Sequence, residues 1–170
     1  MSTSSEKLTV RETRAWEAFL YLQSSIFREL ERLLTKNHGL SVRWYDVLAT
    51  LDEVPERRLR MSELAANVIL SPSRLTRLVQ RLQAEGLVER HVDERDARVY
   101  FVSLTERGQR RLEDARFTHH AVIRSLFLER LSDAELDELA DLLRKALGDS
   151  RYVSLLDAHV RAAEFAMDSQ

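Results

Sequence analysis

Apolar residues recur three and four apart along most of this 170-residue chain, the period of helices that bury one face. The pattern changes in one place. Leu87–Val92 and Val99–Leu104 are short runs rich in β-branched and aromatic residues, joined by a polar turn from Asp93 to Arg98, and together they predict a hairpin. Before the hairpin, Thr9 and Glu12 match a capping box opening a helix to about Lys36, with Gly39 as its stop. Its expected buried stripe is Trp16, Phe19, Leu20, Ile26, Phe27, Leu30, Leu33 and Leu34. Tyr21 and Leu22 widen that face, toward either a thick core or a subunit interface. Ser41 caps a second helix, Val42 to about Glu53, with Trp44, Val47, Leu48 and Leu51 inward and Pro55 at its end. After the hairpin, Thr105 opens a helix from Glu106 to about Leu131. Ser132 and Glu135 form a second capping box for a helix to about Leu147, stopped by Gly148, and Tyr152 to Met167 is a final amphipathic piece.

The central stretch carries the most information. Arg57 to Arg60 is a basic, extended link. Met61 to Val68 is a short helix with Leu64 and Ala65 inward. Ser71-Pro72, a side-chain cap and a residue suited to the first helical position, opens the next helix, which runs to Gly86. Leu75, Leu78, Val79 and Leu82 form its buried stripe. Its other face carries Ser73, Arg74, Thr76, Arg77, Gln80 and Arg81. Two helices followed by a hairpin predict a winged helix-turn-helix, in a chain that is mainly α with a small β-hairpin wing.

Charge sharpens this picture. The whole chain has a formal net charge of −2, so nucleic-acid binding has to come from a local patch. From Arg57 to Arg81 there are six arginines against one acid, a net of +5; from Glu129 to Asp149, three basic residues face seven acids, a net of −4. Arg74 and Arg77 suit bidentate hydrogen bonds to guanine, and Ser73 and Thr76 suit bases or phosphates. Arg81 and Ser71 are placed for phosphate. Arg95 and Arg98 suit a neighbouring minor groove, with Asp96 steadying Arg98, while Asp93 and Glu94 oppose DNA on their side of the turn. Taken alone, three arginines on a helix are an ordinary solvated face; the short helix before and the hairpin after give them a reading role.

Composition closes several alternatives. With no cysteine, disulfides, thiolate metal sites and cysteine nucleophiles are excluded, and a reducing cytoplasmic location is expected. The N-terminus lacks the apolar core of a signal peptide, and no apolar run is long enough for a membrane span. The histidines, His38, His91, His119, His120 and His159, lack metal-ligand spacing, so neither metal nor cofactor is expected. No phosphate loop or nucleophile elbow occurs, and catalysis is not expected.

Leu64-Ala65, Ser71-x-Ser73-x-Leu75-Thr76-Arg77-Leu78-Val79-x-Arg81-Leu82, Gly86-Leu87-Val88-x-Arg90, Asp93-x-x-Asp96-x-Arg98 and Leu104-Thr105-x-x-Gly108, in this order and spacing, resemble the MarR family of bacterial transcriptional regulators. The resemblance covers about residues 11–148. It implies a homodimer interlocked by its first and last long helices, with two winged lobes on pseudo-palindromic double-stranded DNA. It also implies repression relieved by a small aromatic or phenolic effector. The chain would divide into a disordered N-terminus (1–8), a dimerisation helix (9–40), a winged DNA-binding domain (41–104), C-terminal dimerisation helices (105–148) and an extra helix (149–170). Ala97 stands where the family often has a second wing arginine, and the segment beyond about 150 has no family counterpart.

An effector pocket, where the dimer helices meet the winged lobe, would draw on Trp16, Leu20, His38, Trp44 and Asp46. Both tryptophans are read first as core, with stacking on a ligand as the alternative. Two other functions stay open: a winged protein-interaction module without DNA binding, supported by Asp93, Glu94 and Asp96, and a ligand-independent DNA binder or activator.

Overall fold

The computed structural model describes residues 7–68, 70–93, 96, 99–150, 152–157 and 160–161. Six α-helices and three short strands occur in these residues up to Gly148. They are α1 (Val10–His38), α2 (Val42–Asp52), β1 (Arg58–Arg60), α3 (Met61–Asn67), α4 (Pro72–Ala84), β2 (Val88–Val92), β3 (Tyr100–Leu104), α5 (Glu106–Leu126) and α6 (Asp133–Leu147). Most boundaries follow from local chemistry. Thr9 and Glu12 exchange the two bonds of a capping box at the start of α1, and Gly39 ends it at φ 62°, where a side chain would be strained. Ser41 caps α2 by accepting from the Trp44 N–H, and Ser132 with Glu135 opens α6.

Three elements differ from the sequence reading. The basic link is a strand: β1 pairs antiparallel with β3, Arg58 opposite Ser103 and Arg60 opposite Phe101, so the hairpin is part of a three-stranded sheet ordered β1-β3-β2. Three residues cannot announce a strand by pattern; this one exists because β3 offers it an edge. Ser71 precedes α4, but its side chain makes no capping bond and instead lies 3.4 Å from the Ser73 hydroxyl. Third, α5 stops at Leu126, short of Leu131, and a turn of 3-10 helix follows from Leu128 to Arg130.

The sheet and α2–α4, with α5 and the C-terminal half of α1 against them, enclose one core. Val47, Leu48, Leu51, Leu64, Leu75, Val79, Leu82 and Val102 are all at 0% exposure. Leu78 is only partly buried at the edge of this core. In α2, Tyr45 is buried and Trp44 half-buried, because α5 covers the Tyr45 side: the His119 ring stacks on Tyr45 at 4.3 Å. The root of the wing is tied to α5 at one point. Thr105 Oγ1 donates to the Gly86 carbonyl and accepts from the Gly108 N–H, and the Thr105 N–H donates to the Leu87 carbonyl. A Cβ on Gly108 would stand 2.1 Å from that same carbonyl oxygen, so only glycine allows this approach.

The helical layer is different. Leu30 and Leu34 of α1 are buried, but the expected stripe fails further toward the N-terminus: Trp16 is 54% and Phe19 51% exposed, and Leu20 and Phe27 are exposed as well. Among the described residues nothing covers them. In α6 no residue is buried at all, and Leu142 and Leu143 face outward. Phe19, Leu22, Ile26, Phe127, Leu139 and Leu143 line an apolar groove of about 550 Å³ between α1 and α6. Beyond Gly148, residues 152–157 are helical, and Arg144 of α6 forms a bidentate pair with Asp157. The rest of the expected final helix, residues 158–159 and 162–167, and most of the expected disordered N-terminus lie outside the described residues. No helix among the described residues is long and apolar enough to cross a membrane.

Candidate nucleic-acid interface

Leu75, Val79 and Leu82 are fully buried, which fixes the rotation of α4 and turns the remaining faces to solvent. Ser71, Ser73, Arg74, Arg77, Gln80 and Arg81 are exposed there. No described carboxylate lies within 4.0 Å of the Arg74, Arg77 or Arg81 guanidinium, so these donors are not spent inside the chain. Thr76 is an exception: half-buried, its hydroxyl donates back to the Pro72 carbonyl at 2.9 Å. Pro72 has no N–H, and no side chain caps the first turn, which leaves the helix start open to an anion.

The base of the wing is anchored, and its tip is partly described. The Asp93 carboxylate accepts from the Asp96 N–H at 3.1 Å, and the Asp96 carbonyl accepts from the Val99 N–H. The Asp93 side chain thus bonds back to the chain three residues on, while Asp96 enters these two bonds through its backbone alone. Arg95, Arg98, Glu94 and the proposed steadying of Arg98 lie outside the described residues.

Behind this face, Asp52 at the end of α2 accepts from Arg116 of α5 at 2.7 Å and pairs with Arg57 at 3.1 Å. Arg57 also donates to Gln109 at 2.5 Å. Its backbone, like that of Glu56, sits in the left-handed region at φ 50° and 58°, a strained bend held by these contacts. One of the six local arginines is therefore structural. Sequence reasoning missed this pairing because Asp52 and Arg116 are 64 residues apart.

The expected effector residues do not converge within one chain. His38 lies 22 residues beyond Trp16 on the same helix, about 33 Å along its axis. His38 Nε2 is 2.7 Å from the Thr118 hydroxyl, and its carbonyl accepts from Arg111. Asp46 faces Arg43 at 3.6 Å, and burial pushes its carboxyl up to about 6; Arg43 opposes the shift and Glu31 adds to it. Nearby, burial beside His120 and Arg116 lowers His119 to about 4, so its imidazole is neutral against Tyr45 at neutral pH.

Residues 38–99 match the model of the MarR family. Sco3205 of Streptomyces coelicolor, a MarR family transcriptional regulator solved in complex with DNA, superposes with a TM-score of 0.81 at 29% identity, covering 91% of this chain and 98% of that one. AbsC, a MarR family transcriptional regulator of the same organism, gives 0.77 at 32% identity over 92% of this chain and 99% of its own. CouR of Rhodococcus jostii, solved bound to p-coumaroyl-CoA, gives 0.68 at 27% identity over 78% of this chain and 91% of that one. In sequence, the transcriptional repressor MprA of Escherichia coli is 27% identical over 128 residues, 75% of this chain and 72% of that protein.

Proposed function

The chain belongs to the MarR family of transcriptional regulators, and from that premise we propose that it acts as a homodimeric repressor whose α4 helices read a pseudo-palindromic operator. The observation that carries this reading is the outer face of α4, with Arg74, Arg77 and Arg81 exposed and free of described carboxylates on a helix whose inner face is locked in the core. Arg74 and Arg77 address base edges, Arg81 and the open helix start take phosphates, and Ser71 and Ser73 add short donors. Thr76 contributes its methyl group, because its hydroxyl proton is engaged. Arg95 and Arg98 reach the minor groove beside the half-site. Likeness to a regulator solved with DNA supports the same partner here.

The dimer is supported by the uncovered apolar layer. A groove of about 550 Å³ between α1 and α6, flanked by half-exposed Trp16 and Phe19, is the kind of surface a second copy removes from water. Two lobes held in this way would span half-sites about one helical turn apart. A small aromatic effector that shifts the spacing of the two lobes is the regulatory part of the reading, supported by the ligand-bound CouR neighbour. A pocket using both Trp16 and His38 would need one of them from each subunit. Soaking aromatic acids and their thioesters into a thermal-shift assay tests this part, since a true ligand raises the melting temperature of the dimer.

The direct test is fluorescence anisotropy on a duplex that the protein enriches from a random pool, against a scrambled duplex, at two salt concentrations. Tight, salt-sensitive binding to the enriched duplex alone is expected. Equal weak binding to both duplexes would remove the sequence-specific reading.

A further inference from the structure

The basic link from Arg57 to Arg60 is only partly explained by the fold. Arg57 is consumed by Asp52 and Gln109. Arg58 and Arg60 are not. The two-residue period of β1 sets both on the sheet face opposite the core-packed Leu59, about 6.6 Å apart along the strand. Both guanidinium groups lie over one ring, Phe101 of β3, at 4.0 and 5.5 Å from its centre. Neither has a described carboxylate within 4.0 Å. Stacking fixes the plane of a guanidinium while leaving its N–H edge free, which is the state in which arginine grips phosphate with little further loss of freedom.

These two residues wall a cleft of about 710 Å³ along the outer face of the wing, with His91 and Asp93 opposite. The cleft is lined mainly by charged and polar side chains, with Val92 and Val99 as its apolar part and no Phe, Tyr or Trp side chain among its described lining to anchor a protein partner. Asp93 and Asp96, which also line it, are themselves engaged with other groups. Arg60 immediately precedes α3, so this surface continues from the helix-turn-helix onto the wing.

We propose that the outer face of the sheet is a second DNA surface, on which Arg58 and Arg60 hold backbone phosphates flanking the base pairs that α4 reads. This rests on the reading of α4 as the DNA-recognition helix. It adds affinity without sequence preference, because phosphate contacts position a protein rather than specify bases.

The experiment compares wild type with Arg58→Gln/Arg60→Gln on two duplexes, one trimmed to the enriched half-sites and one carrying random flanks. Wild type should bind the flanked duplex more tightly. The double variant should lose that gain, bind the trimmed duplex normally, and show a salt slope on the flanked duplex lower by about 2, one for each phosphate no longer neutralised. Phe101→Leu, which keeps both charges but removes their platform, should lose part of the gain. Melting curves establish that both variants remain folded. An unchanged affinity and slope on the flanked duplex would overturn the proposal and leave an acidic protein as the occupant. Equal loss on both duplexes would overturn the placement outside the half-sites. Arg77→Ala serves as the separate check: if it abolishes discrimination while the double variant changes nothing, the α4 reading stands and the second surface does not.

Discussion

The winged lobe and the helical layer are built from the same amphipathic material and end in opposite states. In the lobe, α2, α3, α4 and the sheet turn their apolar stripes toward one another until Leu48, Leu64, Leu75 and Val102 are fully enclosed. In the layer, α1 and α6 carry comparable stripes, yet Trp16, Phe19, Leu142 and Leu143 remain open. An apolar face states that something must cover it; it does not state whether the cover comes from the same chain. The lobe, its core completed by α5 and the C-terminal half of α1, presents polar donors outward. The layer presents apolar surface outward, which fits the proposed division into a reading head and an assembly surface.

The strongest way to break this contrast is at the joint between the two regions. Gly108→Ala would put a Cβ at 2.1 Å from the Leu87 carbonyl oxygen, against backbone that cannot give way cheaply. A loss of about 3 kcal/mol or more is expected, read as a collapse of the melting temperature. A modest shift of a degree or two would mean that the wing root is pliable.

A second break acts on the layer alone. Phe19→Asp with Leu143→Asp puts charges into the apolar groove and should cost about 2 kcal/mol or more per site in assembly. Sedimentation should report a monomer whose far-UV spectrum is still helical. If the double variant stays dimeric, the groove is not the interface.

The lobe is sharpened by two single changes. Arg77→Ala should cost about 1–3 kcal/mol and relax preference at one base, while Arg81→Ala should weaken every duplex alike. Competition binding over single-base variants of the enriched duplex separates the two. Identical profiles for both variants would assign both arginines to phosphate.

The smallest effects are expected at two titrating groups beside α2: Asp46 on the helix itself and the α5 residue His119 stacked on Tyr45. Asp46 is raised to about 6 in the folded chain, so its protonated form is favoured and its contribution is lost as pH rises from about 4 through 6. His119 is lowered to about 4, so its neutral form is favoured and its contribution is lost as pH falls from about 6.5 through 4. The two slopes oppose each other in the same window. Asp46→Asn should leave stability rising with pH there, and His119→Gln should leave it falling. Parallel melting-temperature profiles for the two variants would refute the assignment.

Much of the lobe was legible along the chain. The pattern of α4 identified both its buried stripe and its arginine face, and the hairpin strands were found within a residue or so. Tyr45 was missed and Trp16 was misjudged for one reason: periodicity ranks faces, whereas burial depends on which element arrives. His119 covers Tyr45 from α5, while no element among the described residues covers Trp16. Strand β1 and the Asp52–Arg116 pair were invisible because their partners are remote in sequence, and the nearby Arg57–Asp52 contact depends on the left-handed bend at Glu56 and Arg57 that brings the two together.

What the sequence by itself determined is everything closed by bonds spanning three or four residues: the capping boxes at Thr9 and Ser132, the glycine stop at Gly39, the Asp93–Asp96 turn, and the outward set of donors on α4. The tertiary structure alone decided which of six neighbouring arginines were spent, that a three-residue basic link became a strand, and where apolar cover ran out. Local hydrogen bonds are specified by neighbours along the chain. The Asp52–Arg116 pair, the β1 edge and core closure depend on groups tens of residues away, which only folding brings into reach.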